Sequence, residues 1–104
     1  MNTERGQFAG IEFEWHESKA AQNRKKHGVA FEEAMTVFAD EQGLLVTDRF
    51  HSDDEPRSLL IGLSEKKRLL TVCFTERSHR LRLISARLAE RWERREYERG
   101  NTEQ

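Results

Sequence analysis

The stretch RLLTVCFTERSHRLRLISARLAERWERREY, residues 68–97, decides the fold of this chain. Its pattern predicts a strand, a tight turn at residues 77–79, a second strand, and a helix over about residues 86–99. Two strands joined by so short a turn must pair antiparallel. The stretch therefore predicts a β-hairpin followed by a helix.

Apolar and polar residues alternate along both strands of this hairpin, as in a sheet with one face on the core and one in water. The apolar face carries Leu70, Val72, Phe74, Leu81 and Leu83. The opposite face carries Arg80 and Arg82, which are two residues and so roughly 7 Å apart along the strand. Guanidinium groups fork onto phosphate oxygens, and successive phosphates of a nucleic acid have a similar spacing. We therefore expect function on the arginine-bearing face.

Length and composition indicate one domain spanning residues 1–104, with frayed termini over residues 1–7 and 100–104. Cys73 is the single cysteine, so no disulfide can form within the chain. No apolar run approaches the roughly 18 residues that span a membrane, and the first residues lack the pattern of a signal peptide. We expect a cytoplasmic protein without a membrane contact.

Charge is distributed unevenly. Residues 29–56 hold one basic and eight acidic residues, whereas residues 57–99 hold twelve basic and six acidic ones. A chain with this asymmetry can bind an anion on one side and a basic partner on the other. The alternative is a surface neutralised by its own salt bridges, and composition does not choose between the two.

The remaining elements follow from periodicity and end signals. The pattern predicts a strand over residues 8–15, helices over 17–27 and 31–40, and strands over 43–48 and 58–64. The second helix has a core stripe of Phe31, Ala34, Met35 and Phe38. The predicted order is β-α-α-β-β-β-β-α. This is an α+β fold, a twisted antiparallel sheet with helices packed on one face and the other face available for a ligand.

Polar residues within these elements allow two kinds of site. His51, Asp53, Asp54 and Glu55 lie in the loop over residues 49–57, but they lack the fixed spacing of metal ligands, so we predict no metal site and no cofactor. Asn23 and His27 lie on the inward face of the first helix, where we expect them to bond backbone groups at the sheet. A catalytic His27 is the alternative.

Three pieces of the chain resemble the BrnT family of small bacterial toxins. The first is FEWHESKAAQNRKKHGVAFEEAMTVF, residues 13–38, which is similar to that family's F-E-W-D, K-x-x-x-N-x-x-K-H-G and F-E-E-A pattern. The second is TERSHRLRLISAR, residues 75–87, and the third is the R-R-x-Y close at Arg94, Arg95 and Tyr97. The sequence departs from the pattern at His16, where Asp is usual, at Ala30, where Ser is common, and at the 78–79 turn.

The resemblance implies a ribonuclease toxin of a type II toxin–antitoxin pair, with a fold related to the RelE toxins. It also implies a cognate BrnA-like antitoxin with a ribbon–helix–helix DNA-binding domain, in a heteromeric complex. Such a complex would bind operator DNA only through the antitoxin.

Metal-independent RNA cleavage needs a base for the 2′-hydroxyl proton, cations for the phosphate, and an acid for the leaving oxygen. We expect Arg80 and Arg82 to hold the phosphate of the RNA substrate. Further RNA contacts are expected from Arg57, Arg77 and Arg87. Tyr97 lies well round the last helix from Trp92, so we expect its hydroxyl to be accessible and the side chain to stack on a base or assist proton transfer. His51 and Glu76 are the remaining candidates for acid or base.

Two other classes of protein are consistent with the same residues. In the first, the basic face docks an acidic partner protein and cleaves nothing. In the second, the chain is itself a DNA-binding domain, although it has neither a helix-turn-helix signal nor a basic net charge. The first of these is the stronger alternative.

Overall fold

The computed structural model describes residues 2–48 and 55–102 and places them in six strands and three α-helices. The strands are Thr3–Phe8 (β1), Ile11–His16 (β2), Leu44–Asp48 (β3), Arg57–Leu63 (β4), Leu69–Arg77 (β5) and Arg80–Leu88 (β6). The helices are Glu17–His27 (α1), Phe31–Thr36 (α2) and Arg91–Thr102 (α3), and a 3₁₀ turn, Val37–Ala39, follows α2. None of the described helices is long and apolar enough to cross a membrane.

The six strands form one sheet in the order β1-β2-β6-β5-β4-β3. Strands β3 to β6 are an antiparallel meander, as the sequence predicts. Strand β2, however, pairs parallel with β6, with Phe13 opposite Leu81 and Glu14 opposite Arg82. The expectation of an all-antiparallel sheet is therefore wrong. The sheet is mixed, because the chain leaves β2 through the helices before it enters the meander.

The N-terminal segment forms an additional strand. The expectation that residues 1–7 fray is wrong for Thr3–Phe8, which pair antiparallel with β2 as an edge strand. Ala9 and Gly10 connect the two strands with φ angles of 52° and 79°, and two consecutive positive φ angles suit a tight hairpin. The expectation that residues 100–104 fray is wrong for residues 100–102, which belong to α3, and residues 103–104 lie outside the described part of the chain. The observed order thus begins with two strands where the predicted order has one.

One face of the sheet packs against α1 and α2. The predicted stripe of α2 is confirmed, because Phe31, Ala34 and Met35 are buried in the main core. Phe38, from the 3₁₀ turn, packs its ring edge-on against Phe13 and Phe74 at centroid distances of 5.0 and 5.1 Å. The sheet contributes Phe13, Trp15, Leu70, Val72, Phe74, Leu83 and Ala86 to this core.

The third helix packs on the opposite face of the sheet. Tyr97 of α3 forms a separate apolar cluster with Ile61 and Leu69. Ile61 lies opposite Thr71 in the β4–β5 ladder, so it projects away from the side on which Val72 enters the main core. The expectation that all helices pack on one face is therefore wrong. Helix α3 covers the β3–β4 end of the second face.

The boundary between β6 and α3 also differs from the prediction. The helix was expected from residue 86, but β6 continues to Leu88 and pairs with β5 throughout. Ser85 pairs with Cys73 and Leu83 with Phe74, so Ile84 is the extra residue of a β-bulge. The bulge puts Leu83 and Ala86, three residues apart, on the same buried face. In the sequence, apolar residues at positions i and i+3 are also typical of one face of a helix.

Asn23 joins α1 to the sheet. Its amide nitrogen donates to the carbonyl oxygens of Val29 (2.9 Å) and Ala86 (2.8 Å), and its amide oxygen accepts from the Ala86 N–H (3.0 Å). The interpretation of Asn23 as a structural residue is confirmed. Gly28 ends the helix in the left-handed conformation, φ 69°, and its N–H donates to the Arg24 carbonyl.

A fully buried carboxylate fixes α3 to the sheet. Glu93 accepts from the Thr71 hydroxyl (2.8 Å), from two nitrogens of Arg87 (2.8 and 3.0 Å) and from the Glu90 N–H (2.8 Å). The last bond is half of a capping box, since Glu93 is the third residue of the helix that follows Glu90. One side chain therefore connects the start of α3 to both β5 and β6.

Replacing Glu93 by Gln should lower the free energy of unfolding by roughly 3 kcal/mol, since it leaves the Arg87 guanidinium without its counter-charge. Burial raises the pKa of Glu93, but the bonds from Arg87, the Glu90 N–H and Thr71 lower it by more than burial raises it. The pKa of Glu93 therefore lies below the ordinary value of 4.5. The stabilisation by Glu93 is thus present above pH 4.5 and lost as the pH falls.

Thermal melts of wild type, Glu93→Gln and the exposed control Glu65→Gln test this prediction. The melting temperature of Glu93→Gln should be well below that of the wild type at neutral pH, and the gap should narrow below pH 4.5. A gap that is absent, or that grows in acid, contradicts the assignment.

Candidate active site

Five arginines project from the face of the sheet opposite to α1 and α2. In the β5–β6 ladder, Arg82 lies opposite Thr75 and Arg87 opposite Thr71, on the side away from the buried Val72. We define the arginine face as the surface formed by Arg57, Arg77, Arg80, Arg82 and Arg87. The sequence predicted that Arg80 and Arg82 share a face opposite to Leu81 and Leu83, and the ladder confirms it. Arg57 lies on the same face. Its neighbour Ser58 pairs with Phe74, which faces the main core, so Arg57 faces the opposite side.

Arg82 is the best-fixed cation of this face. Its Nε donates to Glu14 Oε2 at 2.8 Å, and one of its terminal nitrogens donates to the same oxygen. Its other terminal nitrogen, NH1, lies 2.8 Å from Nε2 of His16. Both partners come from β2, which the parallel pairing places beside β6. A guanidinium that is held from two sides has a fixed direction, as recognition of an anion requires.

The other arginines of the face differ in how they are paired. Arg77 makes two bonds of 2.9 Å to the carboxylate of Glu55, and both side chains are exposed. Arg80 is only loosely paired, with its nearest nitrogen 3.9 Å from Glu12. Arg87 is committed to the buried Glu93. Screened surface pairs contribute little to stability, so Arg77 and Arg80 can exchange their partners for a ligand more readily than Arg87 can.

A cavity of about 150 Å³ opens on the arginine face beside Arg82. Its polar lining consists of His16, Lys19, Glu55, Arg57, Thr75 and Arg82. Glu55 is already paired with Arg77, whose guanidinium lowers the pKa of that carboxyl. Arg82 is paired with Glu14, so the excess of positive charge around the cavity comes from Lys19 and Arg57. Such a site suits a phosphate group.

The threonine of this cavity has a structural bond. Thr75 is buried, and its hydroxyl donates to the Pro56 carbonyl oxygen at 2.7 Å. This bond fixes the segment that leads into β4, and hence the position of Arg57. Thr75 thus shapes the cavity, and its hydroxyl proton is already used.

Glu76 is not brought to Arg82. It lies opposite Leu81 at the end of the β5–β6 ladder, so it projects from the side of the sheet opposite to Thr75 and Arg82. It lines a separate groove at the β5–β6 turn together with His79 and Arg80. His51, the other predicted acid or base, lies outside the described residues, as do Asp53 and Asp54.

Tyr97 was expected to have an accessible hydroxyl, and this is wrong. The side chain is buried, and its hydroxyl donates to Asp40 Oδ2 at 2.7 Å. Asp40 Oδ2 also accepts from the Leu63 N–H at 2.8 Å. Burial and the bond to Asp40 raise the pKa of Tyr97 to about 12. None of the contacts among the described residues connects Tyr97 to Arg82, so its catalytic role stays a prediction without a supporting contact.

Sequence reasoning missed two residues of the site, Glu14 and His16. The alternation of β2 contained the signal, since Phe13 and Trp15 are buried and the residues between and after them must face the other way. The sequence does not reveal that β2 lies next to β6. Without that neighbour, Glu14 and His16 have no visible partner.

The chain matches the protein family described as “Ribonuclease toxin, BrnT, of type II toxin-antitoxin system” over residues 15–93. It is also similar to the crystal structure of the Brucella abortus ribonuclease toxin BrnT, with 24% identity and a TM-score of 0.54. That similarity covers 74% of this chain and 94% of the Brucella chain, and at this identity it shows the fold. None of the curated protein sequences matches this chain.

The buried position of Tyr97 can be tested by spectrophotometric titration, because the chain contains a single tyrosine. Its phenol should ionise near pH 12, whereas an exposed phenol ionises near pH 10. The titration is monitored by absorbance in parallel with circular dichroism, which separates ionisation in the folded state from unfolding. A midpoint near pH 10 in the folded protein would restore the accessible hydroxyl.

Proposed function

Because the chain belongs to the BrnT family of type II toxin–antitoxin ribonuclease toxins, we propose that it is a metal-independent endoribonuclease. In this proposal it cleaves RNA on the arginine face and thereby inhibits translation and growth. The observation that carries the proposal is the cavity between His16, Arg57 and Arg82. We also propose that the fold of this chain is related to that of the RelE toxins.

The substrate class follows from the shape and charge of the arginine face. A groove lined with guanidinium groups binds the backbone of a nucleic acid in a manner largely independent of sequence. Arg57 and Arg82 contact the scissile phosphate, and the loosely paired Arg80 contacts the next phosphate along the strand. Arg77 and Arg87 contribute to the field around the RNA, since both are bonded to carboxylates.

Catalysis in this proposal comes from fixed positive charge. When a 2′-oxygen attacks phosphorus, negative charge accumulates on the oxygens of the five-coordinate phosphate. Arg82 stabilises it without rearranging, because Glu14 already holds its guanidinium in place. Arg57 and Lys19, from other sides of the cavity, share the charge. Arginine and lysine then take the role that a metal ion has in other nucleases.

The partner in this proposal is a cognate, BrnA-like antitoxin with a ribbon–helix–helix domain, which covers the arginine face. An acidic segment of the antitoxin would pair with Arg77 and Arg80, whose present partners are solvent-exposed. The complex binds operator DNA only through the antitoxin. We place the protein in the cytoplasm, where its RNA substrate and this partner are found.

A non-catalytic binding module is the second candidate. It is favoured by one observation, namely that each arginine of the face except Arg57 has a carboxylate within 4 Å among the described residues. In that case the face would exchange these carboxylates for those of an acidic protein, and no RNA would be cut. The two candidates differ in cleavage and in growth arrest.

Cleavage of a defined RNA in EDTA, both free and as ribosome-bound messenger, tests the proposal. The decisive variant is Glu14→Gln with Arg82→Gln, which removes both charges and so leaves no unpaired buried carboxylate. We expect its rate to fall about 100-fold or more, as when a preorganised donor is lost. The Arg80→Ala variant should show a smaller fall in cleavage rate, because the phosphate contact proposed for Arg80 is outside the cavity.

Arg24→Ala is the matched control, since Arg24 is exposed on α1 at the opposite side of the sheet. It should cleave like the wild type. If the Glu14/Arg82 double variant is folded and equally active, the assignment of the site is wrong. If the wild type cleaves neither substrate and expression does not arrest growth, the chain is a binding module. Loss of cleavage on adding EDTA alone contradicts metal independence.

The antitoxin complex should weaken as salt increases, because the contact proposed for it is between charges. Calorimetric titration at a series of salt concentrations measures this dependence, with Arg77→Ala and Arg80→Ala as variants. Both variants should bind more weakly and show a shallower salt dependence. An affinity unaffected by salt would indicate an apolar interface elsewhere on the chain.

A further inference from the structure

His16 is held beside the phosphate-binding cation in one protonation state. Its Nε2 lies 2.8 Å from Arg82 NH1. A guanidinium nitrogen can only donate, so Nε2 accepts and the ring carries its proton on Nδ1. That Nδ1 is buried and has no hydrogen-bond partner among residues 2–48 and 55–102. The imidazole is therefore neutral, with its basic nitrogen directed at Arg82.

The position of His16 in the fold does not account for this arrangement. His16 occupies the N-cap of α1, where a side chain normally accepts from the first N–H groups of the helix. Its side chain makes no such bond. The imidazole lines the cavity together with Lys19, Arg57 and Arg82. It is thus directed at the proposed RNA site and not at the helix.

We propose that His16 is the general base of the reaction on the arginine face, an inference that rests on the proposed function. A phosphate that binds Arg82 NH1 takes the place of the imidazole as its acceptor. The phosphate oxygen then occupies the position beside NH1 that Nε2 leaves, and Nε2 is freed from Arg82 at the edge of the substrate. The attacking 2′-oxygen belongs to the ribose that carries this phosphate, so it lies within the reach of Nε2 that proton transfer requires.

The step balances as follows. Nε2 of His16 takes the 2′-hydroxyl proton while the 2′-oxygen bonds to phosphorus, and the bond from phosphorus to the 5′-oxygen breaks. The 5′-oxygen takes a proton from a water molecule, and the resulting hydroxide removes the proton from Nε2. The products are a 2′,3′-cyclic phosphate and a 5′-hydroxyl, and His16 returns to its neutral form.

The other described candidates for a base meet fewer of these conditions. Glu76 projects from the other side of the sheet. Glu55 faces the cavity but is bound by Arg77 at two points. Tyr97 is buried with Asp40. His16 alone among the described residues combines a basic nitrogen without a proton with a position at Arg82.

Charged groups of both signs surround His16. Arg82 from β6, Lys19 from α1 and Arg57 from β4 are cations that oppose protonation. Glu14 from β2 and Glu55 favour protonation, but each is paired with an arginine, Arg82 and Arg77 respectively. Glu17 follows His16 in α1, and Arg5 of β1 lies opposite Glu14. A ring with protons on both nitrogens has no base to offer, so these groups bear on the pH dependence of the reaction.

His16→Gln provides the test, because its side-chain oxygen can accept from Arg82 as Nε2 does but cannot take up a proton. We expect kcat to fall about 100-fold or more, with little change in KM. We also expect the acidic limb of the pH–rate profile to disappear. A merely structural role for His16 would lower the melting temperature and leave the shape of the pH profile unchanged. His79→Gln, at the exposed β5–β6 turn, is the matched control and should behave like the wild type.

Binding of an oligodeoxynucleotide, which lacks the 2′-hydroxyl and is not cut, gives a second measurement. The ¹⁵N resonances of the His16 ring should shift when the oligodeoxynucleotide binds. The His79→Gln variant should show the same shift of the His16 ring as the wild type, and its other histidine resonances should match those of the wild type. If wild type cleaves RNA but His16→Gln has the same rate and pH profile, or if the His16 ring resonances do not respond, His16 is not the base while the proposed function stands. If the wild type itself cleaves no RNA, both fail together.

Discussion

The parallel pairing of β2 with β6 is the constraint on which the rest of the structure depends. Two residue pairs, Phe13 with Leu81 and Glu14 with Arg82, define its register. The first pair belongs to the side of the main core and the second to the arginine face. Because side chains alternate along a strand, a shift of one residue would move Phe13 to the arginine face and Glu14 into the apolar core. The apolar core therefore determines which charged groups meet, although they are 68 residues apart in sequence.

Three buried carboxylates among the described residues pair with arginines of other elements. Glu33 binds the Arg68 guanidinium and the Ser64 hydroxyl, which joins α2 to the β4–β5 hairpin. Glu93 joins α3 to β5 and β6. Glu14 orients Arg82 at the cavity. The first two pairs position helices, and the third positions a cation that a ligand can reach. The same chemistry thus serves packing in two places and a site in one.

The cavity beside Arg82 combines rigidity with incomplete bonding, as the proposed catalytic centre would require. Fixed guanidinium groups stabilise charge in a transition state without the cost of reorganising water or side chains. A buried polar atom without a partner costs stability, so its presence needs a physical explanation. Nδ1 of His16 is such an atom among the described residues, and the His16 side chain lines the cavity. The surrounding pairs, Arg82 with Glu14 and Thr75 with Pro56, maintain the geometry around it.

The sequence by itself determined the elements with a clear period or end signal. These include α1 with its Gly28 terminus, the stripe of α2, the meander from β3 to β6, and the side of the sheet on which Arg80 and Arg82 lie. Such features depend on local spacing and on the alternation of neighbouring residues. The boundary between β6 and α3 shows the limit of this reasoning, since a helix is predicted from residue 86 whereas the strand continues to Leu88.

Only the tertiary structure decided which strands are neighbours and which side chains meet. Nothing local in β2 specifies β6 as its partner, so Glu14 and His16 could not be assigned to Arg82 from the sequence. Nor does the period of α3 tell on which face of the sheet it packs, so Tyr97 was expected in solvent although it lies against Ile61 and Asp40. The physical reason is that a side-chain period records that a face is buried but not what buries it.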